Sequence, residues 1–239
     1  MESASPEPRP PTQTTRELWL EVGVVMTIAV LPHIWNAVAS LLERGPHDPS
    51  VTASGWIYTI RSSVFTSIPI LYLMWRSRDG WETFGLGRPR WLVDAVLGVF
   101  LFGAEKFFYL PVAKLIIRAF HHTERAAPLV TAAAERGVAF FTLWPLSALA
   151  TGFVEELVVR GYLIPRLERL VGATWKAVVI SSLVFASWHV YQGVEGTILV
   201  VVDGLLYGTM FVSCRRLWPC VLAHALWDGL IFASYVAHR

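Results

Sequence analysis

Charge is scarce in this chain: Asp, Glu, Lys and Arg supply only 16% of its 239 residues, while 54% are hydrophobic. Water-soluble domains carry about 25% charged residues, so the composition excludes an ordinary soluble fold. The net charge is only +2, too small and too dispersed for a nucleic-acid-binding patch, and no nucleic-acid partner is expected. There are just two cysteines, Cys214 and Cys220, on either side of a predicted cytosolic turn. That excludes a disulfide framework, and both read as ordinary small residues in a reducing compartment. No tandem repeat is present. The first residues, MESASPEPRPPTQTTRE, lack the basic head, apolar core and small-residue cleavage site of a signal peptide. Rich in Pro, Ser and Thr, they predict a disordered cytosolic tail over 1–16.

What the chain has in abundance is long apolar runs. A helix needs about 20 residues to cross the hydrocarbon core, and runs of that order predict spans at roughly 18–42, 51–75, 91–117, 137–163, 175–191, 196–213 and 218–236. The expected fold is therefore an all-α polytopic membrane bundle of seven spans, with eight as the alternative. It divides into N-terminal membrane helices over 17–136 and a C-terminal set over 137–239. Pro111, Lys114, Arg118, His121, His122 and Glu124 interrupt the pattern, predicting a helix tail and an interfacial segment over 111–136. Of the 20 Lys and Arg, the tail and the loops near 76–90, 164–176 and 214–217 hold 11, the opposite side 6, and the span interiors 3. The positive-inside rule then places the N-terminus in the cytosol and the C-terminus outside.

Against this background the run GFVEELVVRGY, residues 152–162, is anomalous, because Glu155, Glu156 and Arg160 fall inside a span. A charge at mid-membrane costs about 2.5–3.5 kcal/mol on insertion scales, so such groups face the bundle interior and find partners. Glu156 and Arg160 are four residues apart, acid first, the favourable order for an ion pair on a helix. Glu155 points about 100° away, which leaves it available for another purpose.

Two histidines sit at the ends of four-residue steps, in FASWHV and HALWD. Phe185 lies one turn beneath His189 and can wall it from lipid; Asp228 shares a face with His224. Glu155 and His189 are both 17 residues from Gly172, so a helical hairpin turning there would bring them to one height. His224 lies about 10 Å inside the last span at 1.5 Å per residue. A shared polar cavity follows. The other intramembrane charges, Arg61, Asp94, Glu105, Lys106 and Asp203, read as interhelical pairs or interfacial groups, with Asp203 the one to test. Gly204 and Gly208 form a small-residue face for close helix packing.

A desolvated carboxylate and a neutral imidazole can take a proton from water as it attacks an amide. Glu155 with His189 fits that role, and an N–H of His224 can stabilise the oxyanion. Three other intramembrane chemistries lack their motifs. No HExxH occurs, although VVDG at 201–204 resembles part of a zinc protease's second site; TASG at 52–55 lacks the first Gly of a GxSG element; GxGD is missing.

EELVVR, FASWH and HALWD, in that order, form the EExxxR, FxxxH and HxxxD set, which resembles the CPBP or Abi family of CAAX-prenyl-protease-type intramembrane endopeptidases. The resemblance covers about 137–236, with FGLG at 84–87 as weaker support. It implies an all-helical membrane protease in which Glu155 and His189 activate water without metal or other cofactor. It also assigns His224 and Asp228 to the oxyanion site, with Glu156, Arg160 and Phe185 supporting. Prenyl-protein-processing members commonly carry Asn where this chain has Asp228, and an ionised Asp cannot donate a hydrogen bond. Orienting His224 is then the better role for Asp228. Asp is common in bacterial-type members, which points away from a prenyl-CAAX substrate; the expected location is a bacterial cell membrane, with a membrane-tethered or secreted precursor as substrate. The rival readings are a zinc protease using Glu155, His189 and His224 as ligands, and a nonenzymatic bacteriocin-immunity or scaffold protein.

Overall fold

A computed structural model describes residues 13–42, 52–120 and 138–237, and every regular element among them is a helix. Residues 1–12 of the predicted tail, and 121–137 with most of the predicted interfacial segment, lie outside the described residues. The first helix, α1 (Thr15–Val25), starts three residues before the predicted span because Thr14 and Glu17 form a capping box: the Thr14 N–H donates to the Glu17 carboxylate at 2.7 Å, and the Glu17 N–H to the Thr14 hydroxyl at 3.3 Å. A π turn, Met26–Val30, joins it to α2 (Leu31–Leu42) in one rod.

The next rods are α3 (Ala53–Arg76) and α4 (Trp91–Phe120), the latter passing through Pro111, Lys114 and Arg118 without a break. Then α5 (Val138–Glu156) continues through a π segment, Leu157–Leu163, into α6 (Ile164–Val171). Gly172, with φ of +68°, supplies the left-handed cap that ends it. Beyond it lie α7 (Thr174–Ser187), α8 (Gly193–Cys214) and α9 (Trp218–Ala237). Among the described residues five rods are long and apolar enough to cross a membrane, and Trp35, Leu92, Phe107 and Trp175 turn exposed apolar surface outward. This is an integral, multi-pass helical membrane protein.

The α5–α6 rod is the most buried, with Leu157, Val159, Tyr162 and Ile164 fully enclosed. It touches α3, α7 and α9, while α4 packs on α8 and α9. The tightest approach is between α7 and α8. A Cβ at Gly204 would stand 2.8 Å from Ser182 Cβ, and one at Gly208 2.8 Å from Val178, so the predicted small-residue face is where α8 lies against α7.

Two differences from the predicted spans shape the site. The α5–α6 rod runs eight residues past the predicted end at 163, because Arg166 is satisfied by Glu21 at 3.1 Å and Asp79 at 2.6 Å. Conversely, α7 stops at Ser187 rather than 191. Its 14 residues measure about 21 Å, short of the ~30 Å hydrocarbon core. The turn that follows, residues 188–192, is not level with the start of α5. Trp188 lies beside Val154 and Glu155, roughly 24 Å along that helix. Irregular backbone at membrane depth persists where it lines a cavity or is enclosed by protein.

Candidate active site

Glu155 and Glu156 end α5, and the π segment begins immediately after them. Such segments widen one turn of a helix and recur at functional sites. Glu156 is fully buried, and Arg160 Nη1 donates to its Oε1 at 2.7 Å, the ion pair that the four-residue spacing predicts. Arg160 also donates to the Gly204 carbonyl at 3.4 Å and lies over the rings of Phe185 and Tyr207 at 4.7 and 5.2 Å. One guanidinium thereby ties α5 to α7 and α8.

The same Oε1 of Glu156 accepts a second hydrogen bond, 2.8 Å long, from His224 Nδ1. The other nitrogen of His224, Nε2, faces Glu155 Oε2 at 3.6 Å and Asp228 Oδ2 at 3.8 Å. Three carboxylates thus surround one imidazole. The group that orients His224 by a short bond is Glu156, while Asp228, 30% exposed, stands beyond hydrogen-bond range. α9 reaches this position because Gly152 has no side chain: a Cβ there would be 3.2 Å from both the Val221 carbonyl and the Ala225 N–H.

His189 sits in the turn after α7, and its Nδ1 donates to the Phe185 carbonyl at 3.0 Å. That bond fixes the tautomer and leaves Nε2 with its lone pair outward. Phe185, buried, sits at ring-centroid distances of 4.8 Å from His189 and 6.1 Å from His224. It walls both imidazoles at once. The hairpin arithmetic put Glu155 and His189 at one height, and Trp188, the residue next to His189, flanks Glu155, while nearer the turn Ser181 donates to the Val159 carbonyl at 2.8 Å. The imidazole that faces Glu155 at 3.6 Å is His224, and the His189 side chain turns back to the Phe185 carbonyl.

The sequence inventory overlooked three contributors. The His33 ring on α2 lies tilted against Trp188 with centroids 6.1 Å apart, and both line a narrow cleft with Glu155, Thr66 and Ala29. Counting every intramembrane histidine, VLPHIW included, would have found it. Trp188 is 5% exposed, and its indole Nε1 has no hydrogen-bond partner among the described residues. The third is Tyr207, whose hydroxyl donates to the buried Glu105 at 2.7 Å and whose ring lies 6.2 Å from His224. Glu105, read from sequence as a structural charge, is therefore one side chain removed from the site. Its neighbour Lys106 pairs with it at 3.6 Å and rests on the Trp227 ring, and Asp203 lies within electrostatic reach of both. No three His, Cys, Asp or Glu side chains among the described residues are arranged to hold a metal ion.

Fold and site together define a class: a polytopic helical membrane protein whose buried carboxylates and imidazoles meet between α5, α7 and α9. Residues 137–230 match the Rce1-like family model, described as type II CAAX prenyl endopeptidase Rce1-like. The match covers α5 to α9 apart from the last few residues, so the similarity falls on the helices that carry Glu155, His189 and His224, and that family is one of membrane proteases. Neither the curated proteins nor the solved structures compared with the chain include a match.

Proposed function

We propose that the chain is an intramembrane endopeptidase that hydrolyses a peptide bond of a membrane-tethered or secreted precursor, in a bacterial cell membrane with its N-terminus in the cytosol. The observation that carries this reading is the placement of His224, bonded to Glu156 at 2.8 Å and facing Glu155 at 3.6 Å beside a cleft. Glu155 is the one acid of the pair left without a short bond to a neighbouring cation, so it is the group available to a water.

Glu155 takes a proton from that water as the oxygen bonds to the amide carbon, and His189 Nε2 holds the water's second hydrogen. The carbonyl oxygen becomes an oxyanion. His224 donates to it from Nε2 while Nδ1 remains on Glu156. When the C–N bond breaks, Glu155 returns its proton to the leaving amine and is reset. Asp228 contributes negative charge beside His224 rather than a donor to the oxyanion.

The test is Glu155→Gln. Cleavage should fall by at least about 10²-fold, the low end for a lost general base, while helical content and membrane insertion stay unchanged. Comparing the membrane proteome of a strain carrying this substitution with wild type should reveal an uncleaved precursor. Full processing by the variant would overturn the mechanism and leave a binding or immunity role.

A further inference from the structure

A second site lies away from the catalytic helices' interior, at the end of the bundle where three loops converge. Leu217 N–H donates to the Gly85 carbonyl at 2.9 Å, seating the 81–90 loop on the α8–α9 turn, and Arg215 reaches Glu168 on α6 at 2.7 and 2.8 Å. Between these loops is a pocket of about 470 Å³ lined by Arg88, Arg90, Arg215, Arg216 and a single acid, Glu82. That volume is within the usual range for small-ligand sites, roughly 300–1,000 Å³.

The four arginines are not equivalent. Arg215 is matched by Glu168, and Arg216 is clamped by the fully buried Asp94, with Nη2 to Oδ2 at 2.7 Å. Arg88 and Arg90 are exposed; neither has a salt bridge within 4 Å among the described residues, although Arg90 stands within electrostatic reach of Asp94. Two guanidinium groups therefore face a pocket in which only Glu82 is an uncommitted acid. Depth is set by the neighbouring aromatics: Trp91 and Trp218, the first residues of α4 and α9, lie 5.9 Å apart beside the pocket. Tryptophans at helix ends mark the headgroup level of a bilayer.

We propose that this pocket binds the phosphate of an anionic lipid headgroup, gripped by Arg88 and Arg90. The planar fork of arginine matches phosphate oxygens two at a time. Basic pockets at the membrane face recognise lipid headgroups in this way. The site is separate from the Glu155 centre and stands whether or not that centre hydrolyses peptides.

The experiment uses the full chain in nanodiscs of phosphatidylcholine containing a minor fraction of phosphatidylglycerol, with protein-retained lipid counted by native mass spectrometry. Wild type should retain phosphatidylglycerol over phosphatidylcholine. The Arg88→Gln/Arg90→Gln variant should lose that enrichment by about tenfold or more, given the usual strength of a basic residue near an anionic surface. An Arg76→Gln/Lys176→Gln variant, which removes two positive charges from other parts of the same end, should keep it. Equal enrichment in wild type and the first variant would overturn the proposal. So would equal loss in both variants, which would mean diffuse surface attraction. Displacement of the lipid by inorganic phosphate at matched ionic strength would assign the pocket to a soluble phosphate instead.

Discussion

At the residue scale, the two adjacent glutamates divide their tasks by partner. One oxygen of Glu156 serves both Arg160 and His224, whereas Glu155 keeps only a long contact to the same imidazole. Removing Arg160 takes the guanidinium from a fully buried carboxylate that then keeps only His224, and losing one partner of a buried pair costs about 3–5 kcal/mol. Arg160→Ala is therefore expected to lower thermal stability markedly, along with activity. Glu155→Gln should lower activity alone, and unfolding in detergent will separate the two. A Glu156→Gln, Arg160→Gln double-mutant cycle should give a strong coupling energy; additive effects would mean that the pair does not hold the site. The Glu156–Arg160 pair was legible in sequence because a four-residue step fixes geometry within one helix. The bond from Glu156 to His224 was not, since it depends on how α9 is rotated against α5.

At the element scale, the α7–α8 contact is the most demanding. A methyl group at Gly204 meets Ser182 Cβ at 2.8 Å, and overpacking of this kind costs about 1–3 kcal/mol. Gly204→Ala should lower the midpoint of thermal unfolding, and adding Ser182→Gly should recover part of it; no recovery would show that the strain lies elsewhere. Hydropathy located every one of these rods to within a few residues, apart from two ends. It overran α7 because Trp188, Val190 and Tyr191 are as apolar as a span, and the stop there comes from packing. It cut α6 short because Arg166, Glu168 and Arg169 look like loop residues until Glu21, Asp79 and Arg215 are seen to meet them.

At the scale of the whole molecule, the charges gather at one end. Arg76, Asp79, Arg88, Arg166, Arg169, Arg215 and Arg216 all belong to the three converging loops or the helix ends beside them. The positive-inside rule assigns that end to the cytosol. A reporter that requires export, fused after Arg239, should be active, and the same reporter fused before Met1 should be silent; the reverse pattern would invert the topology. The sequence supports this orientation through the uneven placement of Lys and Arg. Which helices touch was beyond it, because α3 meets α5 and α4 meets α9 across long stretches of chain.

The shortness of α7 bears finally on the bilayer itself. Its outward face carries Trp175 and Leu183, both exposed, yet five residues past its end the surface turns polar at Gln192, with Glu195 close behind. Along that edge the apolar band is about 21 Å tall where lipid tails supply ~30 Å. Lipid must shorten or tilt to meet it, at a fraction of a kcal/mol per Å of mismatch. A bilayer is therefore expected to thin beside His189, bringing headgroups and water toward the cleft. Proteolysis should accordingly quicken in bilayers of shorter acyl chains, and rates measured across a series of phosphatidylcholine chain lengths will show whether it does.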